Sequence, residues 1–162
     1  MKKTILISIA IFMMVGAKAQ VAMSPRVGFE TQCLGVEEDG TQTLRVWGFG
    51  SKKKDAVEQA MKTAVRDILF KGIHAGMEGC NTRPMLTEVN ARERHEAYFN
   101  KFFADGNRFK KYVSFKDEKK KKKSREHTES TLGTRWSIVV TVKCPQLRQR
   151  LIKDKIIQKD YK

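Results

Sequence analysis

The stretch that decides the fold is 46-VWGFGSKKKDAVEQAMKTAVRDILFKGI-73, where a strand-like run ends in two glycines and a basic cluster follows. Alanines then recur at positions 56, 60 and 64, with larger apolar residues beside them. This periodicity predicts one helix over about 51–71. Two interpretations are open. The glycines and lysines either cradle a phosphate at the start of the helix, or they let the helix lie close to a sheet.

The glycine spacing argues against a phosphate loop. Lys53 stands where a G-x-G-x-x-G fingerprint needs its third glycine, and no G-x-x-x-x-G-K-[ST] pattern is present. Close packing explains more of the stretch. The alanines form a narrow row of methyl groups, and Gly48 and Gly50 remove side chains where the strand turns into the helix. We therefore expect a helix packed against a sheet, without a nucleotide or another cofactor.

The rest of the chain predicts four strands and two further helices. A short acidic turn between the first two strands favours an antiparallel hairpin. The resulting order, β-β-α-α-β-β-α, predicts a single α+β domain, in which an antiparallel four-stranded sheet packs its helices mainly on one face. The predicted elements are strands at 29–36 and 41–49, helices at 51–71 and 90–104, strands near 112–115 and 135–143, and a helix at 145–157.

The first residues have the pattern of a secretory signal peptide. Two lysines precede an apolar run of roughly eleven residues, and Ala17-Lys18-Ala19 offers a cleavage site. The run is shorter than the ~20 residues that span a bilayer, and no cysteine follows it that could be lipidated. We expect cleavage after Ala19 and a periplasmic or secreted protein. The expected divisions are a signal peptide at 1–19, an irregular lead-in at 20–28, the α+β domain at 29–158 and a tail at 159–162.

The chain is strongly basic, with a formal net charge of +15. About +12 remains once the three lysines of 1–19 are removed. Such a charge favours anionic partners, so a membrane surface or an acidic glycan is a candidate, while nucleic acid is not expected. The alternative is a solvated hairpin tip without a ligand. The candidate anion-binding residues are Lys110, Lys111, Lys119, Lys120, Lys121, Lys122, Lys123 and Arg125.

Three cysteines remain after removal of the signal: Cys33, Cys80 and Cys144. Export to an oxidising compartment permits one disulfide and leaves one thiol over. The sequence leaves all three pairings open. No two cysteines are close enough in sequence to form a CxxC redox or zinc motif.

Residues for catalysis are not grouped in the sequence. The three histidines lack the spacing of metal ligands, and no G-x-S-x-G motif is present. We expect no metal, no cofactor and no enzymatic activity. The alternative from the enzyme class is a hydrolase with an unrecognised site, which a deep pocket lined by Cys80, Glu88 or His95 would favour.

The most distinctive non-repetitive stretch is 83-RPMLTEVNARER-94. Its functional interpretation is a surface loop that docks a partner, since exposed loops on rigid scaffolds often contain recognition residues. Its structural interpretation is a loop held against the core by Leu86 and Val89. The candidate docking residues are Arg83, Glu88, Asn90, Arg92 and Arg94.

A family resemblance follows from the opening stretch. A strand that ends in glycine, followed by a helix with the pattern A-x-x-x-A-x-x-x-A, resembles the N-terminal domain of the flagellar-assembly protein FlgT. It also resembles related outer-membrane lipoproteins that accompany CsgG-like secretion components. The final strand, 136-WSIVVTVK-143, is similar too, and 79–103 resembles a small family of exported proteins. The matching residues of the first stretch are Val46, Gly48, Ala56, Ala60, Ala64 and Ile68.

The resemblance implies a non-enzymatic envelope module and transfers no catalytic residues. Our leading hypothesis is therefore an exported, non-catalytic interaction or structural domain of the cell envelope, accessory to an assembly or secretion system. Its partners would be other envelope proteins, and its oligomeric state stays open. The runner-up is a basic protein that binds anionic lipid head groups, glycans or nucleic acid through its surface.

Overall fold

The computed structural model describes residues 29–104, 108–115, 127–130 and 133–158. Within these ranges six strands form one mixed sheet in the order β3-β1-β2-β6-β4, with β5 also paired to β6. The strands are β1 (Gln32–Val36), β2 (Gln42–Gly50), β3 (Ala75–Gly76), β4 (Val113–Phe115), β5 (His127–Ser130) and β6 (Gly133–Val142). The α-helices are α1 (Lys53–Phe70), α2 (Ala91–Arg94), α3 (Glu96–Phe103) and α4 (Cys144–Lys153), and Arg108–Lys111 form a 3-10 turn.

The α+β class and the first hairpin are confirmed, but the sheet of four antiparallel strands is wrong in detail. β1 and β2 pair antiparallel as predicted. β3 was not predicted and pairs parallel with β1, which makes the sheet mixed. β5 was not predicted either and extends the antiparallel part along β6. A strand of two residues has no alternation to detect, so the sequence pattern gave no sign of β3.

The alanine row lies against the sheet, which confirms the packing interpretation. Ala56, Ala60 and Ala64 are completely buried. A Cβ atom built on Gly48 would lie 1.9 Å from the carbonyl oxygen of Ala56, so the backbones of β2 and α1 touch at this point. Lys52, and not Ser51, occupies the N-cap position of α1.

The core lies on one face of the sheet. Leu44 and Val46 of β2 alternate into it, and Ile138, Val140 and Val142 of β6 do the same. Phenylalanines from α3 and leucines from α4 join the same buried cluster. The sheet and these helices therefore share one buried cluster. No helix in the described ranges is long and apolar enough to cross a membrane.

The predicted helix over 90–104 is divided into α2 and α3. His95 lies between them with φ −112° and ψ 31°, outside helical geometry. Asn90 occupies the N-cap position of α2 but has a left-handed backbone with φ 57° and makes no side-chain capping bond. The last helix also ends earlier than predicted, at Lys153, and Lys155 then adopts a positive φ of 60°.

A buried hydrogen bond joins the residue just before β1 to α1. Asp67 is 7% exposed, and the hydroxyl of Thr31 donates to its carboxylate. Lys71 lies 3.3 Å from the other carboxylate oxygen. The chain just before β1 is therefore anchored by the hydrogen bond from Thr31 to Asp67, a polar residue on the buried side of α1.

Replacing Thr31 with valine should lower the free energy of unfolding by about 1–3 kcal/mol, because the buried carboxylate of Asp67 loses a donor. Urea unfolding of the mature domain measures this loss. Ser114→Ala is the control: it removes a hydroxyl bonded to Thr141 at the surface, and its effect should stay within about 0.5 kcal/mol. Equal losses in the two variants would contradict the assigned role of Thr31.

Candidate functional site

A disulfide between Cys33 and Cys80 joins a surface loop to the sheet. It is one of the three pairings that the sequence left open. Its Cα atoms are 5.9 Å apart. The backbone N–H of Met77 also donates to the carbonyl of Cys33 at 2.9 Å. Gly76 is required here, because a Cβ at this position would lie 2.3 Å from that same carbonyl oxygen. We call residues 77–90 the clamped loop.

The clamped loop also closes the C-terminal end of α1. The last carbonyls of a helix have no partner within the helix and need donors from elsewhere. The N–H groups of Met85 and Leu86 donate to the carbonyls of Ile68 and Leu69 at 2.9 and 3.0 Å. Main-chain contacts therefore fix the loop at its start, at Met77, and again at Met85 and Leu86.

The side chains predicted to hold the clamped loop behave differently from one another. Leu86 is buried in the core, as the structural interpretation predicts. Val89 is 75% exposed, so its predicted packing role is wrong. Because the backbone bonds already fix the loop, Val89 is displayed to solvent rather than needed for anchoring.

Three of the five predicted docking residues come together. Glu88, Asn90 and Arg92 line a groove of about 540 Å³ between the loop and α1. Arg94 forms an ion pair with Glu88 instead. Arg83 lies apart from this groove, at a second cleft described below.

The predicted basic surface is only partly within the described residues. The ammonium group of Lys110 lies 3.0 Å from the carboxylate of Glu58, so its charge is already paired. Lys111 is exposed. The candidates Lys119, Lys120, Lys121, Lys122, Lys123 and Arg125 fall outside the ranges that the structure describes.

An aromatic cleft of about 530 Å³ is lined by residues 29–31, by β2 and by α1. The guanidinium group of Arg135 is 3.6 Å from the ring centre of Phe29 and 4.1 Å from that of Phe49. The ring of Trp47 meets Phe29 edge-on, with centres 5.1 Å apart. The ring faces are thus used by Arg135 itself, in cation–π contacts that join two strands.

A cleft of about 680 Å³ lies between the clamped loop and the start of α4. We call it the α4 cleft. Its lining includes Gln42, Ile68 and Cys144, which are buried, and Arg83 and Arg148, which are at least partly exposed. The side-chain oxygen of Gln42 is buried without a hydrogen-bond partner in the described part of the chain. No sequence pattern predicted this cleft.

One signal in the sequence could have pointed to the α4 cleft. Gln42 is in phase with Leu44 and Val46 along β2, so a strand of period two places its amide on the buried face. A polar residue in an apolar alternation is a reason to look for a partner or a ligand. The other residues that line the cleft come from distant parts of the chain, and no local sequence pattern indicates that they meet.

The free thiol of Cys144 is buried, with its sulfur 3.6 Å from the carbonyl oxygen of Val142. Burial raises the pKa of Cys144 from its usual value of 9.0 to about 11. Because the thiolate is the reactive form, little of this thiol is available for reaction at neutral pH.

Alkylation of Cys144 in the native protein at about pH 8 should be at least tenfold slower than in the urea-unfolded chain. Since the folded thiol holds its proton up to about pH 11, stability should also fall as pH rises between 9.0 and about 11. Mass spectrometry after timed iodoacetamide treatment checks the first effect. Comparing urea midpoints of the wild type and Cys144→Ala across this pH range checks the second. Equal alkylation rates would show that the thiol is accessible.

The residues of the enzyme alternative are not gathered around one pocket. Glu88 and His95 lie 3.7 Å apart beside the end of α4. Cys80 is bonded to Cys33 and lines the α4 cleft, so in this state it is not a thiol nucleophile. Within the described ranges, no group of three or more histidine, cysteine, aspartate or glutamate side chains could hold a metal ion.

Comparisons with protein-family models, with curated proteins and with solved structures give no significant match for this chain.

Proposed function

We propose that this chain is an exported, non-catalytic interaction domain of the cell envelope, which serves as an accessory to an assembly or secretion system. The observation that best supports the proposal is the clamped loop, with its disulfide Cys33–Cys80. Disulfides persist in oxidising compartments and are rare in the cytosol. The disulfide and the signal-like pattern of 1–19 are thus two independent observations that both favour export.

The clamped loop has the properties expected of a recognition surface. Its anchors are backbone bonds and a covalent bridge, while Met77 and Val89 stay 64% and 75% exposed. A surface that is rigid before binding loses less conformational entropy when a partner docks. Exposed apolar residues next to an arginine such as Arg92 are typical of surfaces that bind other proteins.

Export is tested first. The protein, expressed in its own host, should be recovered outside the cytoplasm with Gln20 as its N-terminal residue. N-terminal mass spectrometry of the fractions gives this result. A full-length chain retained in the cytoplasm would overturn the proposal.

The recognition surface is tested by site-specific photo-cross-linking in intact cells. A photoreactive amino acid at Val89 should form an adduct with an envelope protein, and one at the exposed Ser114 of β4 should not. Adding Arg92→Ala should reduce the adduct at position 89 several-fold, because Arg92 lines the neighbouring groove. Adducts of equal yield at 89 and 114, or none at either, would count against a docking surface on the loop.

The second candidate function, binding to anionic surfaces, is favoured by the net charge of +15. Co-sedimentation with vesicles that contain anionic lipid tests it at low and high salt, since screening weakens such binding. Replacing residues 119–123 with glutamine should abolish the sedimentation if they are responsible. Unchanged sedimentation of that variant would remove this candidate.

A further inference from the structure

The sulfur-containing side chains of the described residues differ widely in their access to solvent. Two cysteines are joined in the disulfide described above, and the thiol of Cys144 is buried. Met61 and Met85 are half-buried and pack against the core. Met77 of the clamped loop, in contrast, is 64% exposed. It is therefore the most exposed sulfur-containing residue within the described ranges.

An oxidant in solution meets few other reactive sulfur groups on this part of the chain. A disulfide is already oxidised, and a thiol reacts as its thiolate. Cys144 is buried and keeps its proton at neutral pH. A thioether needs no deprotonation, so its oxidation depends mainly on how well solvent reaches the sulfur. A peroxide should therefore modify Met77 before the other described sulfur groups.

Exposed apolar residues are concentrated around the clamped loop. Met77 and Val89 belong to it, and Val36, which is 42% exposed, lies at the end of β1. Val36 is beside the loop, because a Cβ built on Gly79 would be 3.6 Å from its Cγ2 atom. A change in the polarity of Met77 thus alters the surface that we propose to dock a partner.

The side chain of Met77 does not hold the clamped loop in place. It is not among the side chains that pack against the core. The backbone N–H of Met77 donates to the carbonyl of Cys33, and the disulfide and the N–H groups of Met85 and Leu86 supply the other anchors. Oxidation of the thioether leaves all of these contacts intact, so it changes the surface without opening the loop.

We propose that Met77 is an oxidation site, and that its sulfoxide weakens the docking of a partner to the clamped loop. The oxidant is a peroxide, with hydrogen peroxide as the simplest case. A lone pair of the Met77 Sδ atom attacks one peroxide oxygen, the O–O bond breaks and an S–O bond forms. The sulfur loses two electrons, the peroxide gains them, and its second oxygen leaves as water with both hydrogens. The docking part rests on the proposed function, and the chemical part does not.

Timed treatment of the mature, disulfide-bonded protein with hydrogen peroxide tests the chemical part. Peptide mass spectrometry should find sulfoxide at Met77 at least about threefold faster than at Met61 or Met85, because these two are shielded. The three rates should converge in the urea-unfolded chain. Protein oxidised at Met77 alone should keep the urea midpoint of the untreated protein. Equal rates at the three methionines of the folded protein would overturn the oxidation site.

Two variants separate the polarity of position 77 from other effects of the oxidant. Met77→Leu stays apolar and cannot be oxidised, whereas Met77→Gln is polar without any oxidant. In hydrophobic-interaction chromatography, oxidised wild type and untreated Met77→Gln should both elute earlier than untreated wild type. Peroxide should shift the elution of Met77→Leu much less than that of the wild type. Equal shifts would mean that another residue is responsible, and would overturn the assignment to Met77.

The photo-cross-link at position 89 tests the docking part. Mature protein with the photoreactive residue is oxidised, freed of peroxide and irradiated with an untreated envelope fraction. Oxidation should lower the adduct yield several-fold, Met77→Gln should lower it without peroxide, and Met77→Leu should keep it after treatment. An adduct that survives both oxidation and Met77→Gln would overturn the docking part. No adduct from the untreated protein would overturn the proposed function and the docking part with it, while the oxidation rates and elution positions still decide the site.

Discussion

Removing the disulfide between Cys33 and Cys80 should lower the free energy of unfolding by about 4 kcal/mol. The bridge closes a loop with a sequence separation of 47 residues. In the chain-entropy description, a cross-link of this span restricts the unfolded chain by about that amount, within a usual range of about 2–5 kcal/mol. Urea unfolding of Cys33→Ser/Cys80→Ser against the wild type measures the loss.

Two comparisons identify the source of this effect. Cys144→Ser removes the buried thiol without opening the bridge, and its loss should be smaller than that of the double variant. Reduction of the wild type with dithiothreitol should reproduce the loss of the double variant. In hydrogen exchange, protection should fall first at Met77, Met85 and Leu86, whose N–H groups hold the clamped loop. A double variant as stable as the wild type would contradict the assigned role of the bridge.

Gly48→Ala should destabilise the domain by about 3 kcal/mol. A methyl group at this position would lie 1.9 Å from the backbone oxygen of Ala56 and 2.7 Å from its carbonyl carbon. These are main-chain atoms of α1, which cannot rotate away as the tip of a side chain can. The helix must instead move off the sheet along the alanine row, with a loss at the upper end of the usual range for overpacking.

Gly50→Ala is the graded comparison for Gly48→Ala. Its Cβ would lie 2.8 Å from the backbone nitrogen of Ala56 and 2.9 Å from the side chain of Asp55, so the clash is milder. Its loss should be roughly half as large. Thermal and urea unfolding of the two variants give the order. Two equal small losses would mean that the contact between β2 and α1 is looser than described.

The features that were predictable from sequence are those with a regular period. The alanine row and the alternation of Leu44 with Val46 each repeat often enough to reveal a buried face, and both faces are buried. β3 was missed, because no sequence pattern marks its two residues. They lie beside β1 because the Cys33–Cys80 bridge is close by and because Gly76 has no side chain to clash with Cys33. The break at His95 was missed for a similar reason, because the residues on both sides still read as helix formers.

The candidate sites were predictable only in part. Glu88, Asn90 and Arg92 share a groove because they follow one another in a single short segment. The α4 cleft brings together β2, the clamped loop and α4, three segments that are far apart in the chain. Its one local sign was Gln42. Pairing between cysteines is likewise a fact of three-dimensional geometry, which spacing alone leaves undetermined.

The pairing of β2 with β6 determines how late in folding the middle of the sheet can form. The register runs from Gln42↔Val142 to Gly50↔Thr134, so strands at the middle of the sheet are about 84 to 100 residues apart along the chain. Contacts of such long range form late, because a large loop must close before they can contribute. A nascent chain therefore cannot complete the middle of this sheet until residues 134–142 of β6 have been synthesised.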